Sequence, residues 1–136
     1  MLYITRKFHF SASHRLYKEG LTPEENENLY GKCSNANGHG HNYNLEITVC
    51  GELDPQTCFV MDLKELKELV NNEIIDKVDH KNFNMDVDFM KNEIPTTENI
   101  AVKFWDIIKN KIDNSHRRLY SVKLTETENN FVEYRG

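Results

Sequence analysis

The sequence has few cysteines, few prolines and no long apolar run. Its three cysteines, Cys33, Cys50 and Cys58, are an odd and sparse set in a chain of 136 residues, which is long enough to bury a sizeable core. We therefore predict free thiols rather than a disulfide framework. No apolar stretch approaches the roughly 20 residues that a membrane-spanning helix needs, and no charged-then-apolar leader opens the chain. These absences predict a soluble, cytoplasmic protein with no membrane partner.

The chain also lacks an excess of positive charge. It has 17 lysines and arginines against 22 aspartates and glutamates, which gives a formal net charge of −5. This balance argues against a surface that binds nucleic acid non-specifically, so we predict no nucleic-acid partner. An anionic ligand would have to be met by a local group of basic side chains. Repeats, low-complexity tracts and linkers are absent too, and residues 1–136 are predicted to form a single domain.

Hydrophobic patterning predicts the element order ββααββ. Residues 3–14 and 39–49 alternate like strands, and so do residues 120–126 and 131–134. Between these pairs, apolar residues at helical spacing predict one helix from Asp62 to about Lys77 and a second that begins at residues 95–98. Residues 17–28 are predicted to be a loop or insertion. This order favours an α+β domain, with a four-stranded antiparallel sheet and helices on one face.

Such a sheet would leave its outer edges open. Unpaired strand edges invite pairing with another chain. We therefore expect subunits to join their sheets into a larger closed barrel.

Two histidines stand where the second strand should begin with apolar residues. His39 and His41 are two residues apart, so their side chains leave the same face of the strand. Hairpin-like pairing would bring His14, at the end of the first strand, alongside them. Three imidazoles suit a zinc ion that keeps a fourth position for water or substrate. The alternative is three unrelated core or surface histidines, and the spacing favours the metal.

Cys33 is separated from His39 by a flexible turn that could bring the thiol back to the metal. As a fourth ligand, Cys33 would close the site and indicate a structural zinc ion. As a base, it would need a partner that stabilises the thiolate, because a free cysteine has a pKa of about 8.5. Asp79 and His80 offer one, since an aspartate can orient a histidine that exchanges protons with a thiol. A packed thiol and an ordinary loop histidine are the alternative.

Glu126 falls on the predicted apolar face of the third strand. An inward carboxylate is costly unless it is paired or hydrogen-bonded. It could form a salt bridge within the core, or accept two hydrogen bonds from a planar heterocycle with adjacent N–H donors. The segment Thr96, Thr97 and Glu98 is first a helix cap, and its exposed N–H groups could also meet a ligand.

Five motifs, in this order, closely resemble those of the 6-pyruvoyl tetrahydropterin synthase family. They are FSASHRLY at residues 10–17, YGKCSNANGHGHNY at 30–43, VDHKN at 78–82, TTENIA at 96–101 and LTETENN at 124–130. The similarity spans nearly the whole chain, and the motifs are far more specific in combination than the paired histidines alone. The resemblance implies the tunnelling fold (T-fold), in which ββααββ subunits form a trimeric barrel and two trimers stack as a hexamer.

The resemblance also implies a site. A zinc ion would be held by three histidines: His14, His39 and His41. Cys33 would be the proton-abstracting base rather than a fourth ligand, and Asp79 and His80 of a neighbouring subunit would complete the proton relay. The zinc ion would bind the side-chain hydroxyls of the substrate and raise their acidity.

The substrate implied by the resemblance is 7,8-dihydroneopterin triphosphate. Glu126 would anchor its pterin ring, assisted by Thr96, Thr97 and Glu98. The product would be 6-pyruvoyl-tetrahydropterin, formed with elimination of triphosphate and without an external redox cofactor. The triphosphate requires positive charge, and four basic residues are near the motifs in sequence: Arg15, Lys18, Lys32 and Lys81.

Two other functions are compatible with parts of this pattern. Relatives with the same fold make 6-carboxytetrahydropterin for deazapurine synthesis, but they place the cysteine closer to the paired histidines than Cys33 is to His39. The second alternative is a zinc-stabilised binding module without turnover, in which Cys33 closes a four-ligand site. That function would leave Asp79, His80 and Glu126 without a role.

Overall fold

The computed structural model describes all 136 residues and contains one five-stranded sheet in the order β3-β1-β2-β4-β5. The strands are β1 (Leu2–His14), β2 (His39–Gly51), β3 (Lys81–Asn82), β4 (Arg117–Thr127) and β5 (Asn130–Tyr134). The pairs β1–β2, β2–β4 and β4–β5 are antiparallel. The predicted α+β class and antiparallel sheet are confirmed.

The predicted number of four strands is wrong by one. The additional strand, β3, pairs in parallel with β1 at Ala12 and Ser13. Two residues are too few to show an alternating pattern, which is why the sequence did not reveal this strand. The sheet is open in a single chain, and β3 and β5 are its edges.

The predicted loop over residues 17–28 is also wrong in part, because it contains the helix α1 (Pro23–Tyr30). The Thr22 side chain accepts a hydrogen bond from the Glu25 N–H, and the Glu25 carboxylate accepts one from the Thr22 N–H. With Pro23 in the first turn, this is a complete capping box. The helix is polar and buries only Asn26, so it lacks the apolar stripe by which helices are usually recognised.

The two predicted helices are confirmed, with one irregularity. The first begins as α2 (Leu63–Val70), passes through a π-helical turn (Asn71–Ile75) and ends as α3 (Asp76–Val78). Asp62 caps it by accepting a hydrogen bond from the Lys64 N–H. The second is α4 (Thr97–Ile112), capped by Thr96 through the Asn99 N–H. The start of α4 agrees with the predicted start at residues 95–98.

The core lies between the sheet and these helices and contains 25 buried apolar residues. Phe8, Phe10 and Ala12 of β1 belong to it, as the alternating pattern predicts. In β4 the alternation is interrupted by a bulge opposite Thr48 and Val49. Leu119 is therefore buried, whereas Tyr120, which strict alternation places in the core, contacts Tyr3 with ring centroids 4.7 Å apart.

A separate observation concerns membranes. Across Met1–Gly136, no helix combines the length and the apolar character that crossing a bilayer requires.

Candidate active site

The three candidate histidines form one group at the end of the β1–β2 pair. The register places His14 directly opposite His39, with His41 two residues further along β2 on the same face. Their ligand atoms all lie within 4.8 Å of one another, and Nε2 of His14 is 3.1 Å from Nε2 of His39. This group could hold a metal ion. The sequence pattern thus predicted both the members of the group and the reason they meet.

A hydrogen bond to the backbone fixes the orientation of the buried His14 ring. Its Nδ1–H donates to the carbonyl oxygen of Pro95 at 2.8 Å, which leaves the Nε2 lone pair facing the other histidines. Burial lowers the pKa of His14, and it also lowers the pKa of His41 against the opposing effect of the Glu126 carboxylate. Neutral imidazoles are the form that binds a metal.

His41 provides an independent sign that a metal fits here. Its Nε2 atom is buried and has no hydrogen-bond partner. The nearest acid is Glu126, whose Oε1 lies 3.6 Å away and so beyond hydrogen-bond distance. A buried ring nitrogen without a partner is costly, and coordination of a metal would satisfy it.

Glu126 lies between the histidine group and a cleft. Its Oε2 is 4.0 Å from Nε2 of His14, and the same oxygen accepts a hydrogen bond from the Thr97 hydroxyl. Because Thr97 stands at the start of α4 and Glu126 near the end of β4, this bond ties the helix to the sheet at the site. The inward position predicted for Glu126 is explained: the carboxylate is hydrogen-bonded and faces imidazoles.

The cleft beside Glu126 has a volume of about 570 Å³. Thr96, Thr97 and Glu98 line it together with Glu126, so the structure brings these four predicted residues together. Sequence reasoning did not select the other lining residues, which are Leu16, Asn129, Asn130, Phe131 and Val132. Four of them follow closely after Glu126 in the β4–β5 turn and β5, and that proximity was the available signal.

Cys33 lies in a short 3-10 turn (Gly31–Ser34) and is half-buried. Its carbonyl oxygen accepts from the Leu16 N–H at 2.8 Å, so the turn is fastened just beyond the end of β1. Gly38 permits the chain to return to β2, because a Cβ there would lie 2.9 Å from the His14 carbonyl oxygen and φ is +68°. Cys33 is not a member of the histidine group.

Asp79 and His80 pair with each other, with Nδ1 of His80 3.0 Å from Oδ1 of Asp79. The same carboxylate accepts from the Ser11 N–H at 3.0 Å, and this bond is the main reason why the pKa of Asp79 is lowered. The His80 side chain is 81% exposed and borders a second cleft, of about 470 Å³, together with Ser13 and Asn42.

The second cleft is lined from the face opposite the histidine side chains by Ser11, Ser13 and Asn42, and Ala12 and His41 line it as well. No hydrogen bond joins Cys33 to Asp79 or His80 within one chain. The structure therefore brings together the histidines, Glu126 and the start of α4, whereas the Asp79–His80 pair borders the second cleft.

These features define a class of protein: an α+β protein of the tunnelling-fold type, with a candidate three-histidine metal centre beside a cleft that contains a carboxylate. Comparison with known proteins specifies the class. Residues 3–136 match the family described as 6-pyruvoyl tetrahydropterin synthase. The chain belongs to the 6-pyruvoyl tetrahydropterin synthase family.

Two relatives illustrate the similarity. The chain is 50% identical over 133 residues to the 6-pyruvoyl tetrahydrobiopterin synthase of Pongo abelii, covering 98% of this chain and 90% of the relative. It is also similar to the solved structure of Caenorhabditis elegans 6-pyruvoyl tetrahydropterin synthase, with a TM-score of 0.91 and 40% identity. That match covers 99% of this chain and 95% of the other.

The sister branch is more distant. The 6-carboxy-5,6,7,8-tetrahydropterin synthase of Aquifex aeolicus is 29% identical over 160 residues, covering 97% of this chain and 96% of the relative. The difference in identity favours the pyruvoyl branch, in agreement with the spacing between Cys33 and His39.

Proposed function

We propose that the protein is a 6-pyruvoyl tetrahydropterin synthase, which converts 7,8-dihydroneopterin triphosphate to 6-pyruvoyl-tetrahydropterin and releases triphosphate. The 50% identity to a relative of that name supports this activity. The observation that carries the proposal in the structure is the position of Glu126. Its carboxylate is 3.6 Å from Nε2 of His41 and lines the cleft, so one residue joins a metal-binding group to a space for substrate.

The cofactor in this proposal is a zinc ion held by three histidines: His14, His39 and His41. Three neutral imidazoles with an open fourth position are a common catalytic zinc site. When bound, zinc would act as a Lewis acid that makes the hydroxyl groups of the substrate side chain more acidic. Pro95 would keep His14 in the tautomer that presents Nε2 to the ion.

Glu126 would bind the pterin ring through the ring's adjacent N–H groups. An ionised carboxylate accepts two such hydrogen bonds in one plane. The Thr97 hydroxyl already donates to Oε2, which limits the rotation of the carboxylate and sets its direction in the cleft. Thr96 and Glu98 line the same cleft at the start of α4 and would complete the subsite.

Cys33 would take a proton from the substrate side chain. Asp79 would accept the Nδ1–H of His80, so that Nε2 of His80 is free to exchange a proton with the thiol. Because no hydrogen bond joins Cys33 to Asp79 or His80 within one chain, we propose that the pair in this relay comes from a neighbouring subunit. The exposure of His80 supports that arrangement.

The same requirement supports an oligomer. We propose that residues 1–136 form one domain with a single core and that three copies pair their sheets at the open edges, β3 and β5. Two such barrels would stack as a hexamer. The absence of any disulfide among Cys33, Cys50 and Cys58 supports a reducing, cytoplasmic location in which Cys33 stays a free thiol.

The direct test is to incubate the zinc-loaded protein with 7,8-dihydroneopterin triphosphate without oxygen and to identify the products by mass spectrometry. A 6-pyruvoyl product together with free triphosphate is expected. A 6-carboxy product together with acetaldehyde would instead assign the protein to the sister branch. Zinc binding without any turnover would favour the binding module.

A further inference from the structure

Tyr43 has a buried hydroxyl group that no other group in the chain pairs with. The residue is 0% exposed, and its hydroxyl oxygen has no hydrogen-bond partner. The ring itself is well packed, stacked on Phe10 at 4.8 Å between centroids and edge-on to Phe83 at 6.0 Å. A phenylalanine would pack in the same way without the cost of an unpaired buried hydroxyl. The hydroxyl therefore needs its own explanation.

The position of Tyr43 connects it to the active site. Tyr43 follows His39 and His41 on the same face of β2, at the next alternate position. Its ring centroid lies 5.6 Å from that of His41 and 6.4 Å from that of His14. It thus forms the boundary between the histidine group and the aromatic core.

The hydroxyl can act as a donor. A phenol is a weak acid with an ordinary pKa of about 10, so it carries its proton at neutral pH and can donate a hydrogen bond. Among the rings around it, the imidazoles of His14 and His41 are polar, whereas Phe10 and Phe83 offer no acceptor.

We propose that Tyr43 is a positioning residue, whose hydroxyl donates to an oxygen atom that binds next to His41 and Glu126 when the site is filled. That oxygen belongs either to a water molecule that arrives with the metal ion or to a pterin. A donor that is already in place needs little reordering when its acceptor arrives, and the new hydrogen bond offsets the cost of burying it unpaired. This inference rests on the metal and pterin sites of the proposed function.

The test is Tyr43→Phe, with Tyr120→Phe as the matched control on the other face of the sheet. Three quantities are measured: the Tm of the metal-free protein, its affinity for zinc alone, and the affinity of the zinc-loaded protein for neopterin. Tyr43→Phe is expected to raise the Tm by about 3 °C, because an unpaired buried hydroxyl is removed. It should weaken zinc or neopterin binding about 3- to 10-fold. Tyr120→Phe should leave both affinities unchanged.

The two binding measurements identify the acceptor. A loss in zinc affinity assigns the oxygen to metal-bound water, and a loss confined to neopterin assigns it to the pterin. In the double variant with Glu126→Gln, the combined loss should be smaller than the product of the two single losses, since both residues face one ligand.

Unchanged affinities for zinc and neopterin in Tyr43→Phe would overturn the inference. A lower Tm with unchanged binding would also overturn it, because the hydroxyl would then stabilise the core rather than a bound ligand. These results leave the proposed function intact if the unaltered protein binds both ligands. If the unaltered protein binds neither zinc nor neopterin, both proposals fail.

Discussion

Oε1 of Glu126 lies 3.6 Å from Nε2 of His41, although the two residues are far apart in the sequence. The strand β2 positions the imidazole and β4 positions the carboxylate, while the Thr97 hydroxyl at the start of α4 holds the other carboxylate oxygen. Three elements thus meet at one pair of side chains. This arrangement suggests a division of labour in which histidines hold a metal and Glu126 holds a substrate, and it can be tested one residue at a time.

Removal of one histidine should abolish metal binding. His39→Ala takes away one of three ligands from a half-buried position, and we expect the zinc content to fall from about one ion per chain to near zero. His9→Ala is the control, because His9 is an exposed residue of β1. Elemental analysis measures zinc, and circular dichroism checks folding. A His39→Ala protein that retained its full zinc content would contradict the assignment.

Cys33→Ala should keep zinc and lose turnover. The thiol lies outside the histidine group, so its removal leaves the three ligands in place. Loss of a general base typically reduces the rate by about 100- to 10,000-fold. Cys58→Ser is the control, since Cys58 is exposed. The measurements are kcat and zinc content, and a Cys33→Ala protein that lost its zinc would identify Cys33 as a ligand.

Glu126→Gln should weaken pterin binding and spare the metal. The substitution keeps the shape of the side chain but replaces one acceptor oxygen with an amide donor and removes the charge, so the affinity for neopterin should fall about 10-fold or more. Glu128→Gln, at an exposed position in the β4–β5 turn, is the matched control. Equal neopterin affinities of both variants, measured by calorimetry, would argue against Glu126 as the anchor.

The metal-free protein should become less stable as the pH falls below about 6.5, the ordinary histidine value. Burial lowers the pKa of His14 and His41, so the unfolded chain takes up protons that the folded chain excludes. Stability is therefore complete above the unfolded pKa and is lost as the pH falls toward the folded pKa values. Thermal unfolding between about pH 7.5 and pH 5.5 measures how the Tm changes with pH, and His41→Gln should make that change smaller. An equal change of Tm with pH in that variant would show that other groups control the pH dependence.

A mixture of two inactive variants should recover activity if the relay crosses subunits. Cys33→Ala lacks the base, and His80→Asn lacks the relay histidine while tolerating the left-handed backbone at that position, φ 60°. In randomly mixed oligomers about one quarter of the sites combine an intact Cys33 with an intact His80 from a neighbour. Activity near that fraction of the unaltered protein is expected after co-expression.

Two results would contradict the shared relay. A mixture no more active than its two components would mean that both groups must belong to one chain. Full activity of His80→Asn alone would remove this histidine from the mechanism.

Much of the candidate site was predictable because strand geometry has a strict period of two. Once β1 and β2 were recognised, His39 and His41 had to share a face, and pairing brought His14 to them. The cap at Thr96 was equally local. The helix α1 was missed for a different reason: its capping box was present in the sequence, but the apolar stripe that normally signals a helix was absent.

Other features depend on contacts that local patterns do not record. The short strand β3 exists because Lys81 and Asn82 meet the edge of β1. Tyr120 lies outside the core because a bulge in β4 opposite β2 shifts the alternation by one residue. The sequence could not predict that the Tyr43 hydroxyl has no hydrogen-bond partner, because this depends on all the neighbours of a buried atom.

The sequence by itself determined the order of the main elements, the face on which each histidine lies and the family resemblance, because periodicity, caps and motifs are properties of short segments. Only the tertiary structure decided that Glu126 faces His41 and that His80 borders a second cleft, separate from the one that Glu126 lines. Those outcomes depend on strand register and on packing between distant segments, where burial and hydrogen bonding are shared among many residues.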